Sequence, residues 1–360
     1  MNISRLYTEQ AQSPWLDNLR RDALVDGSLQ ASISSGIRGL TSNPTIFQKA
    51  ISGSKLYDEQ FFAAIDRGLT IEEAYWELVV SDIRAACDLF APLHQSSRGS
   101  DGFVSVEVSP ALCHDAQGTI DSAKELSRVI DRSNVMIKIP ATDAGIKAIS
   151  AVIAEGISVN VTLIFGPTRY REVIAAHQSG LEKLASTKPS LLPSVASVAS
   201  FFISRVDNAI DPLLAGTTLS IGRTAIAQAK VAYHTFLEHV SSPNWKKLAD
   251  KGAQVQRPLW ASTSTKNPAF PATLYVDELI GPHTVNTLPD STIEAFERSG
   301  TVNRTLDVDV DGAAAHLDAV RMAGVDLEAT ARQLETEGLD AFASSFDDLL
   351  ATLASKAASR

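Results

Sequence analysis

The stretch SNVMIKIPATDAG, residues 133–145, decides the fold because it contains a strand with an unexpected charge. Its odd-numbered residues from Val135 to Ile139 are aliphatic and share one face, whereas Lys138 lies on the opposite face. An apolar run that passes through a loop into a helix is typical of a strand buried on both faces. The sequence therefore predicts a buried ammonium group.

Six further β-rich runs alternate with helical periodicities along the chain. They cover residues 36–44, 102–110, 157–165, 193–202, 257–263 and 283–289. Strands that alternate with helices indicate parallel pairing through right-handed crossovers. An eighth strand could lie in the irregular stretch SPWLDNLRRD at 13–22.

This pattern predicts an α/β protein, a single (β/α)8 barrel of the TIM type with a helical C-terminal extension. We expect residues 1–300 to form the barrel and residues 301–360 to form an extension that packs on it, with 312–358 helical throughout. The alternative is an open doubly wound sheet. No G-x-G-x-x-G or G-x-x-x-x-G-K-[ST] motif follows any strand, which favours the barrel.

Local signals define several helix ends. Thr70 and Glu73 have the spacing of a capping box, and Pro167 suits the first position of a helix. Asp143 is predicted to be an N-cap, and Gly156 is predicted to follow the end of the same helix.

Composition limits the ligands and the location. The net charge of −10 argues against nucleic acid and acidic membranes as partners, so an anionic ligand needs a local pocket of basic groups. The only cysteines are Cys87 and Cys113, and the seven histidines form no H-x-H or H-E-x-x-H motif. We therefore expect no metal and no other cofactor. No leader-like segment and no apolar run of about 18 residues is visible, which makes the cytoplasm the default location.

Alternation in three strands places polar side chains on the face opposite the aliphatic one. These side chains are Glu107, Lys138, Asn160 and Thr162. In a barrel they would converge near the C-terminal mouth, where barrel enzymes hold their chemistry. Desolvation disfavours an ammonium group, and a neutral lysine attacks carbonyl groups to form a Schiff base. Alternatively, Lys138 snorkels to solvent or forms a purely structural ion pair with Glu107.

Four segments together resemble the transaldolase family in its longer bacterial form, from about residue 5 to the C-terminus. They are GIRGLTSNPTIFQKAI (36–51), VSVEVSP (104–110), NVMIKIPAT (134–142) and VNVTLIF (159–165). The resemblance implies a cofactor-free transferase of the class I aldolase type. Such an enzyme moves a dihydroxyacetone unit from sedoheptulose 7-phosphate or fructose 6-phosphate to glyceraldehyde 3-phosphate or erythrose 4-phosphate. Whether the chain is a monomer or a homodimer is left open.

The resemblance also assigns four catalytic and five substrate-binding residues. The catalytic ones are Lys138 as the Schiff-base lysine, Glu107 and Thr162 as the pair that positions a water, and Asp17 as the acid/base. Those for substrate are Asn43 and Asn160 for hydroxyl groups, and Ser200, Arg205 and Lys266 for the phosphate. Shorter transaldolases carry an arginine where this chain has Lys266, so this residue would bind phosphate as a point charge.

Other interpretations remain open. Asp17 alone could be an exposed helix carboxylate, and Arg205 alone could be a surface charge. The chemistry could end in aldol cleavage of the fructose-6-phosphate aldolase type, or the barrel could bind sugar phosphates without catalysis. The long C-terminal segment favours the transferase, because the shorter aldolase relatives lack a comparable tail.

Overall fold

Eight parallel strands form a closed barrel in the computed structural model, which describes residues 1–359. The strands are β1 Gln12–Leu16, β2 Leu40–Thr41, β3 Val104–Glu107, β4 Val135–Pro140, β5 Val159–Ile164, β6 Ser197–Phe202, β7 Gln256–Ala261 and β8 Thr284–Leu288. Each strand pairs with the next along the chain, and β8 closes the barrel on β1. The predicted barrel is confirmed, including the eighth strand near the N-terminus.

Helices follow the strands and surround the barrel. Among residues 1–359 the α-helices are α1 Asn2–Gln10, α2 Arg21–Val25, α3 Ser28–Ser34, α4 Pro44–Ser52, α5 Asp58–Asp66, α6 Ile71–Ser96, α7 Ala116–Ile130, α8 Asp143–Ala154, α9 Pro167–Thr187, α10 Ser204–Ile210, α11 Thr224–Ser241, α12 Pro243–Ala249, α13 Leu274–Asp277, α14 Asp290–Ser299, α15 Val310–Met322 and α16 Leu327–Ala358. Short 3-10 helices lie at Lys55–Tyr57, Pro110–Leu112, Pro189–Ser194 and Asp211–Leu214. None of the helices in this part of the chain combines the length and apolar composition that crossing a membrane requires.

Most of the predicted helix ends are confirmed. The Thr70–Glu73 capping box is formed in both directions, and α9 begins at Pro167. The predicted N-cap of α8 is wrong. The hydroxyl of Thr142 accepts the hydrogen bond from the Gly145 amide at 2.9 Å, and the next residue is already helical. A carboxylate in that first turn still complements the helix dipole.

The prediction of one continuous helix over 312–358 is wrong. The segment forms α15 and α16, separated by a turn at residues 323–326. Gly324 adopts a φ of +93°, which ends the first helix. Asp326 then caps the second by accepting a hydrogen bond from the Ala329 amide at 2.9 Å. The division of the chain into a barrel up to residue 300 and an extension beyond it stays a prediction.

The two faces of the central strands differ as the alternation predicts. Parallel register places Glu107 of β3 beside Lys138 of β4, and Lys138 beside Asn160 of β5. Their side chains point into the barrel, where the Asn160 amide donates to the Ser105 hydroxyl at 3.0 Å. The intervening aliphatic residues of these strands are buried under the helices. The inward-facing side chains of these strands therefore include polar groups that lie toward the C-terminal mouth of the barrel.

Strand β5 ends in an irregularity at the mouth. Leu163 has a φ of +59°, and the register with β6 shifts between Val161 and Ile164. A side chain larger than glycine is strained in this left-handed region, and such strain clusters at functional sites. The irregularity directly follows Thr162, one of the candidate catalytic residues.

Candidate active site

A cavity of about 340 Å³ lies at the C-terminal ends of the barrel strands. It is lined by seven of the nine candidate residues, namely Asp17, Asn43, Lys138, Thr162, Ser200, Arg205 and Lys266. The other two do not line it. Glu107 faces a narrower neighbouring space, and Asn160 lies deeper in the barrel. The seven candidates that line the cavity therefore come from six of the eight strands or from the segments that directly follow those strands.

Lys138 lies at the floor of this cavity. The residue is only 4% exposed, as the alternation in its strand predicts. Its Nζ lies 3.1 Å from Oε2 of Glu107 and donates to the Ser42 carbonyl oxygen at 3.3 Å. The interpretation of Lys138 as a lysine that snorkels to solvent is therefore wrong.

Two carboxyl groups face this amine. Burial raises the pKa of Glu107, while the charge of Lys138 and the contact between them oppose the rise. Burial also raises the pKa of Asp17, against the hydrogen bond from Thr41 and the charge of Lys138. A carboxyl group whose pKa is raised by burial is better suited to proton transfer than an ordinary carboxyl group. The arrangement therefore combines a potential nucleophile with two potential proton carriers.

Asp17 directly follows β1, outside any helix. The Thr41 hydroxyl donates to its Oδ1 at 2.7 Å, and that hydroxyl also lies 2.6 Å from the hydroxyl of Thr287. These contacts orient the carboxylate toward a cavity that it lines together with Lys138. The interpretation of Asp17 as an exposed helix carboxylate is wrong.

The polar groups below the cavity form a chain of hydrogen bonds. Ser200 donates from its hydroxyl to Oδ1 of Asn160 at 2.7 Å, and Asn160 donates onward to Ser105. Both ends of the Asn160 carboxamide therefore have protein partners. Ser200 lies within β6, four residues before α10 begins.

The cavity lining also contains Asn43 and Thr162. The Oδ1 atom of Asn43 caps α4 by accepting from the Ile46 amide at 3.0 Å, while its NH2 group makes no hydrogen bond within residues 1–359. The buried hydroxyl of Thr162 also has no partner in the described part of the chain. Both residues thus present unused polar groups.

Basic side chains surround the entrance. Arg205 and Lys266 line the cavity, and so does Lys49, which the sequence analysis missed. Burial lowers the pKa of Arg205 while nearby Glu337 opposes the change, so the interpretation of this residue as a plain surface charge is wrong. Lys49 lies on α4 one turn after Thr45 and Ile46, which line the same cavity, and no motif in the sequence marks it. The entrance provides the local basic pocket that an anionic ligand requires in an acidic protein.

The C-terminal helix supplies a further lining residue, Phe342 of α16. The centre of its ring lies 5.6 Å from Nζ of Lys138. No pattern in the sequence links these two positions. Among residues 1–359, no group of three or more His, Cys, Asp or Glu side chains is arranged to hold a metal ion.

The fold and the cavity together define the class of protein. This is a (β/α)8-barrel enzyme with a buried lysine at the C-terminal mouth, the arrangement on which Schiff-base chemistry with carbonyl compounds depends. Comparison with protein families identifies the particular group. Residues 14–353 match Transaldolase/Fructose-6-phosphate aldolase, and the chain belongs to this family. The resemblance inferred from the four sequence segments is confirmed.

Curated relatives match nearly the whole chain. "Transaldolase" from Neisseria gonorrhoeae is 45% identical over 342 residues, which cover 95% of this chain and 97% of that protein. "Transaldolase" from Frankia alni is 46% identical over 347 residues, covering 94% and 93%. "Transaldolase 1" from Streptomyces avermitilis is 44% identical over 360 residues, covering 98% and 95%.

Proposed function

We propose that this chain is a transaldolase that transfers a dihydroxyacetone unit from a ketose phosphate to an aldose phosphate in the pentose phosphate pathway. The donors are sedoheptulose 7-phosphate and fructose 6-phosphate, and the acceptors are glyceraldehyde 3-phosphate and erythrose 4-phosphate. One observation carries the proposal: buried Lys138 lies 3.1 Å from a carboxyl group in a cavity rimmed by cations, in a chain of this family. A cytoplasmic location is part of the same proposal.

Substrate binding follows from the charges around the cavity. The sugar phosphate lies at the entrance against Arg205 and Lys266, with Lys49 adding positive potential. Ser200 of β6 lines the same cavity as these cations. This orientation directs the ketone toward the floor, where Lys138 is located.

Condensation then forms the Schiff base. Nζ of Lys138 attacks C2 of the ketose, and the carbinolamine loses water to give the iminium. The Glu107 carboxyl, whose pKa is raised by burial, accepts and returns the protons through a water held with the Thr162 hydroxyl. The unpartnered hydroxyl of Thr162, which lines the same cavity as Lys138, supports this role.

Cleavage requires a base at the other end of the reacting bond. Asp17 removes the proton of the C4 hydroxyl, the C3–C4 bond breaks, and its electron pair enters the iminium to form an enamine. The free NH2 group of Asn43 holds a hydroxyl group of the retained unit, and Asn160, which lies outside the cavity lining, acts through the hydrogen bond that it accepts from Ser200. The aldose phosphate leaves, the acceptor enters, and the steps run in reverse.

Borohydride trapping tests the central step. Fructose 6-phosphate plus borohydride is expected to attach a dihydroxyacetone unit to Lys138, located by peptide mapping. Lys49→Arg is the matched control because it changes another lysine of the same cavity, and it should still form the adduct. Lys138→Arg should not. An adduct elsewhere would refute the assignment of Lys138, and no adduct at all would favour a sugar-phosphate-binding barrel.

Acceptor dependence distinguishes transfer from cleavage. With fructose 6-phosphate alone the protein should release little free dihydroxyacetone. Adding erythrose 4-phosphate should start steady formation of glyceraldehyde 3-phosphate and sedoheptulose 7-phosphate. Equal release of glyceraldehyde 3-phosphate with and without the acceptor would instead identify an aldolase.

A further inference from the structure

We propose that Phe342 of α16 keeps water away from the enamine on Lys138 and thereby commits this intermediate to transfer instead of release. This inference rests on the proposed function and concerns a residue outside the barrel strands. Three arguments support it: the packing of α16 on the barrel, the position of the Phe342 ring over the Lys138 amine, and the chemistry of the enamine intermediate.

One face of α16 packs on the barrel along most of its length. The buried residues on this face recur at helical spacing, and they are Leu327, Leu334, Gly338, Phe342, Phe346, Leu349 and Leu353. A helix buried at seven positions along its length is a fixed part of the molecule. Its residues near the cavity are therefore held in place.

Helix α16 approaches the barrel closely at Gly338. A Cβ at this position would lie 2.9 Å from Cδ2 of Leu163 and 3.5 Å from Nη1 of Arg205. Only the absence of a side chain lets the helix approach so near the strained end of β5. One turn before Phe342, α16 is thus in contact with the catalytic end of the barrel.

A second anchor follows one turn after Phe342. The hydroxyls of Ser345 and Thr45 lie 2.8 Å apart, which joins α16 to α4. The ring of Phe346 packs edge-on against Tyr75 with a centroid separation of 5.3 Å. Phe342 lies between the two anchors and is only 5% exposed. Its ring is therefore held over Lys138, at the 5.6 Å distance already described.

The chemistry explains why such a cover is needed. The enamine carbon can take the aldehyde of the acceptor or a proton from water. Protonation forms a C–H bond with the electron pair of the double bond and regenerates the iminium. Water then adds to C2, the C–N bond breaks, and free dihydroxyacetone leaves with the Lys138 amine restored. A phenyl ring carries no group that can deliver a proton and displaces the water that could. The two activities in the family's name differ in the fate of this intermediate.

Deuterium labelling measures that fate directly. Phe342→Ala and the parent are incubated with fructose 6-phosphate in D2O, and released dihydroxyacetone is analysed for one carbon-bound deuterium. The ratio of labelled release to transfer onto erythrose 4-phosphate is expected to rise at least roughly tenfold in Phe342→Ala. Phe342→Leu, which keeps apolar bulk with a shorter reach, should give an intermediate ratio.

Leu349→Ala is the matched control. Leu349 is fully buried on the same face of α16 but does not line the cavity. It should loosen the helix without changing the ratio. An equal rise in Leu349→Ala would mean that helix docking in general, and not the ring of Phe342, sets the ratio, and would overturn the inference.

Borohydride trapping is run on every variant in parallel. Without a Lys138 adduct in the parent, the proposed function itself fails. If the adduct forms in all variants but the ratio stays at the parent value in both Phe342→Ala and Phe342→Leu, only the role of Phe342 is refuted. If Phe342→Ala fails to fold, as judged by thermal melting, Phe342→Leu alone tests the inference. A ratio of labelled release to transfer equal to that of the parent then refutes the role of Phe342.

Discussion

Acidification is expected to destabilise this protein through His177, and His177→Leu is expected to remove that effect. The imidazole lies in α9 with no exposed surface, and neither ring nitrogen has a hydrogen-bond partner within residues 1–359. It stacks against Trp245 at a centroid distance of 6.0 Å. Burial lowers the pKa of His177 to about 3, and neighbouring His239 adds to the shift. The folded protein therefore holds this side chain neutral.

The size of the effect follows from linkage. In the unfolded chain the imidazole titrates near its ordinary pKa of about 6.5, and each unit of difference is worth about 1.4 kcal/mol. Above about pH 6.5 both states are neutral and the residue has no pH-dependent effect. Between about pH 6.5 and about pH 3 the imidazole is protonated in the unfolded chain but not in the folded chain. The free energy of unfolding therefore falls as the pH falls. The loss reaches about 2 kcal/mol at pH 5 and about 5 kcal/mol when complete.

Urea unfolding at pH 7 and pH 5 measures this loss. At pH 7 His177→Leu should be close to the parent in stability, because leucine has a similar volume and no hydrogen bond is lost. At pH 5 the free energy of unfolding of His177→Leu should exceed that of the parent by about 2 kcal/mol more than it does at pH 7. The control is His234→Leu, an exposed histidine of α11, which should change neither value. If parent and His177→Leu lose stability in parallel from pH 7 to pH 5, the reasoning from burial is refuted.

Three further predictions concern the active site. Thr41→Val removes the hydrogen bond that lowers the pKa of Asp17, so the acid limb of kcat/KM should move to higher pH, because the base must be ionised. Lys266→Arg should lower the KM for fructose 6-phosphate by roughly two- to tenfold at similar kcat, the value of one added hydrogen bond to phosphate. The double variant Lys138→Met/Glu107→Leu should be inactive but as stable as the parent or more stable by about 1–4 kcal/mol, whereas Lys138→Met alone should be less stable.

Each of these three predictions has an outcome that would contradict it. For Thr41→Val the control is Thr263→Val, a buried threonine that bonds Asn286 instead of Asp17. Equal shifts of the acid limb in both variants would contradict the assignment. An unchanged KM in Lys266→Arg would remove this residue from the phosphate site. A strong loss of stability in the double variant, measured by urea unfolding, would show that the buried pair is structural.

Alternation predicted the barrel well where aliphatic and polar residues alternate clearly. Strands β3 to β5 are regular enough that their inner and outer faces could be assigned from sequence. Strand β2 is only two residues long, within a run predicted over 36–44. Gly36, with a φ of +116°, bends the chain before it, and Gly39 is packed against Trp15. Such constraints come from tertiary contacts, so sequence patterns overestimate the strand.

The candidate site was predictable where its residues share a strand face. Lys138, Glu107 and Thr162 could be grouped because period-two alternation is a local property. The contact between Phe342 and Lys138 joins positions more than two hundred residues apart and leaves no local pattern. Lys49 was missed for a related reason: its helix faces the cavity only once the barrel has closed. Hydrogen bonds such as Ser200 to Asn160 also depend on the order of strands in the barrel.

The N-terminal end of the same barrel shows what a structural ion cluster looks like. Buried Asp101 accepts hydrogen bonds from Arg38 at 2.7 Å, Arg257 at 3.1 Å and Ser13 at 2.7 Å. The Trp15 indole donates to it as well, at 3.2 Å. Two cations surround one carboxylate, and both of its oxygens are bonded. Such a cluster offsets the desolvation of its charges with geometry and hydrogen bonds.

The group around Lys138 is built differently. One amine faces two carboxyl groups whose pKa values are both raised by burial, and the hydroxyl of Thr162 has no partner among the described residues. The adjoining Leu163 is strained. Each feature costs stability. The opposite end also holds unpartnered buried oxygens, on Gln12 and Gln256, and a left-handed residue, His283, but both oxygens of the Asp101 carboxylate in its ion cluster are bonded. A barrel that bonds both carboxylate oxygens of one buried ion cluster and leaves groups around another without partners at its C-terminal mouth fits the proposed roles of Lys138 and Glu107 in proton transfer and carbonyl binding.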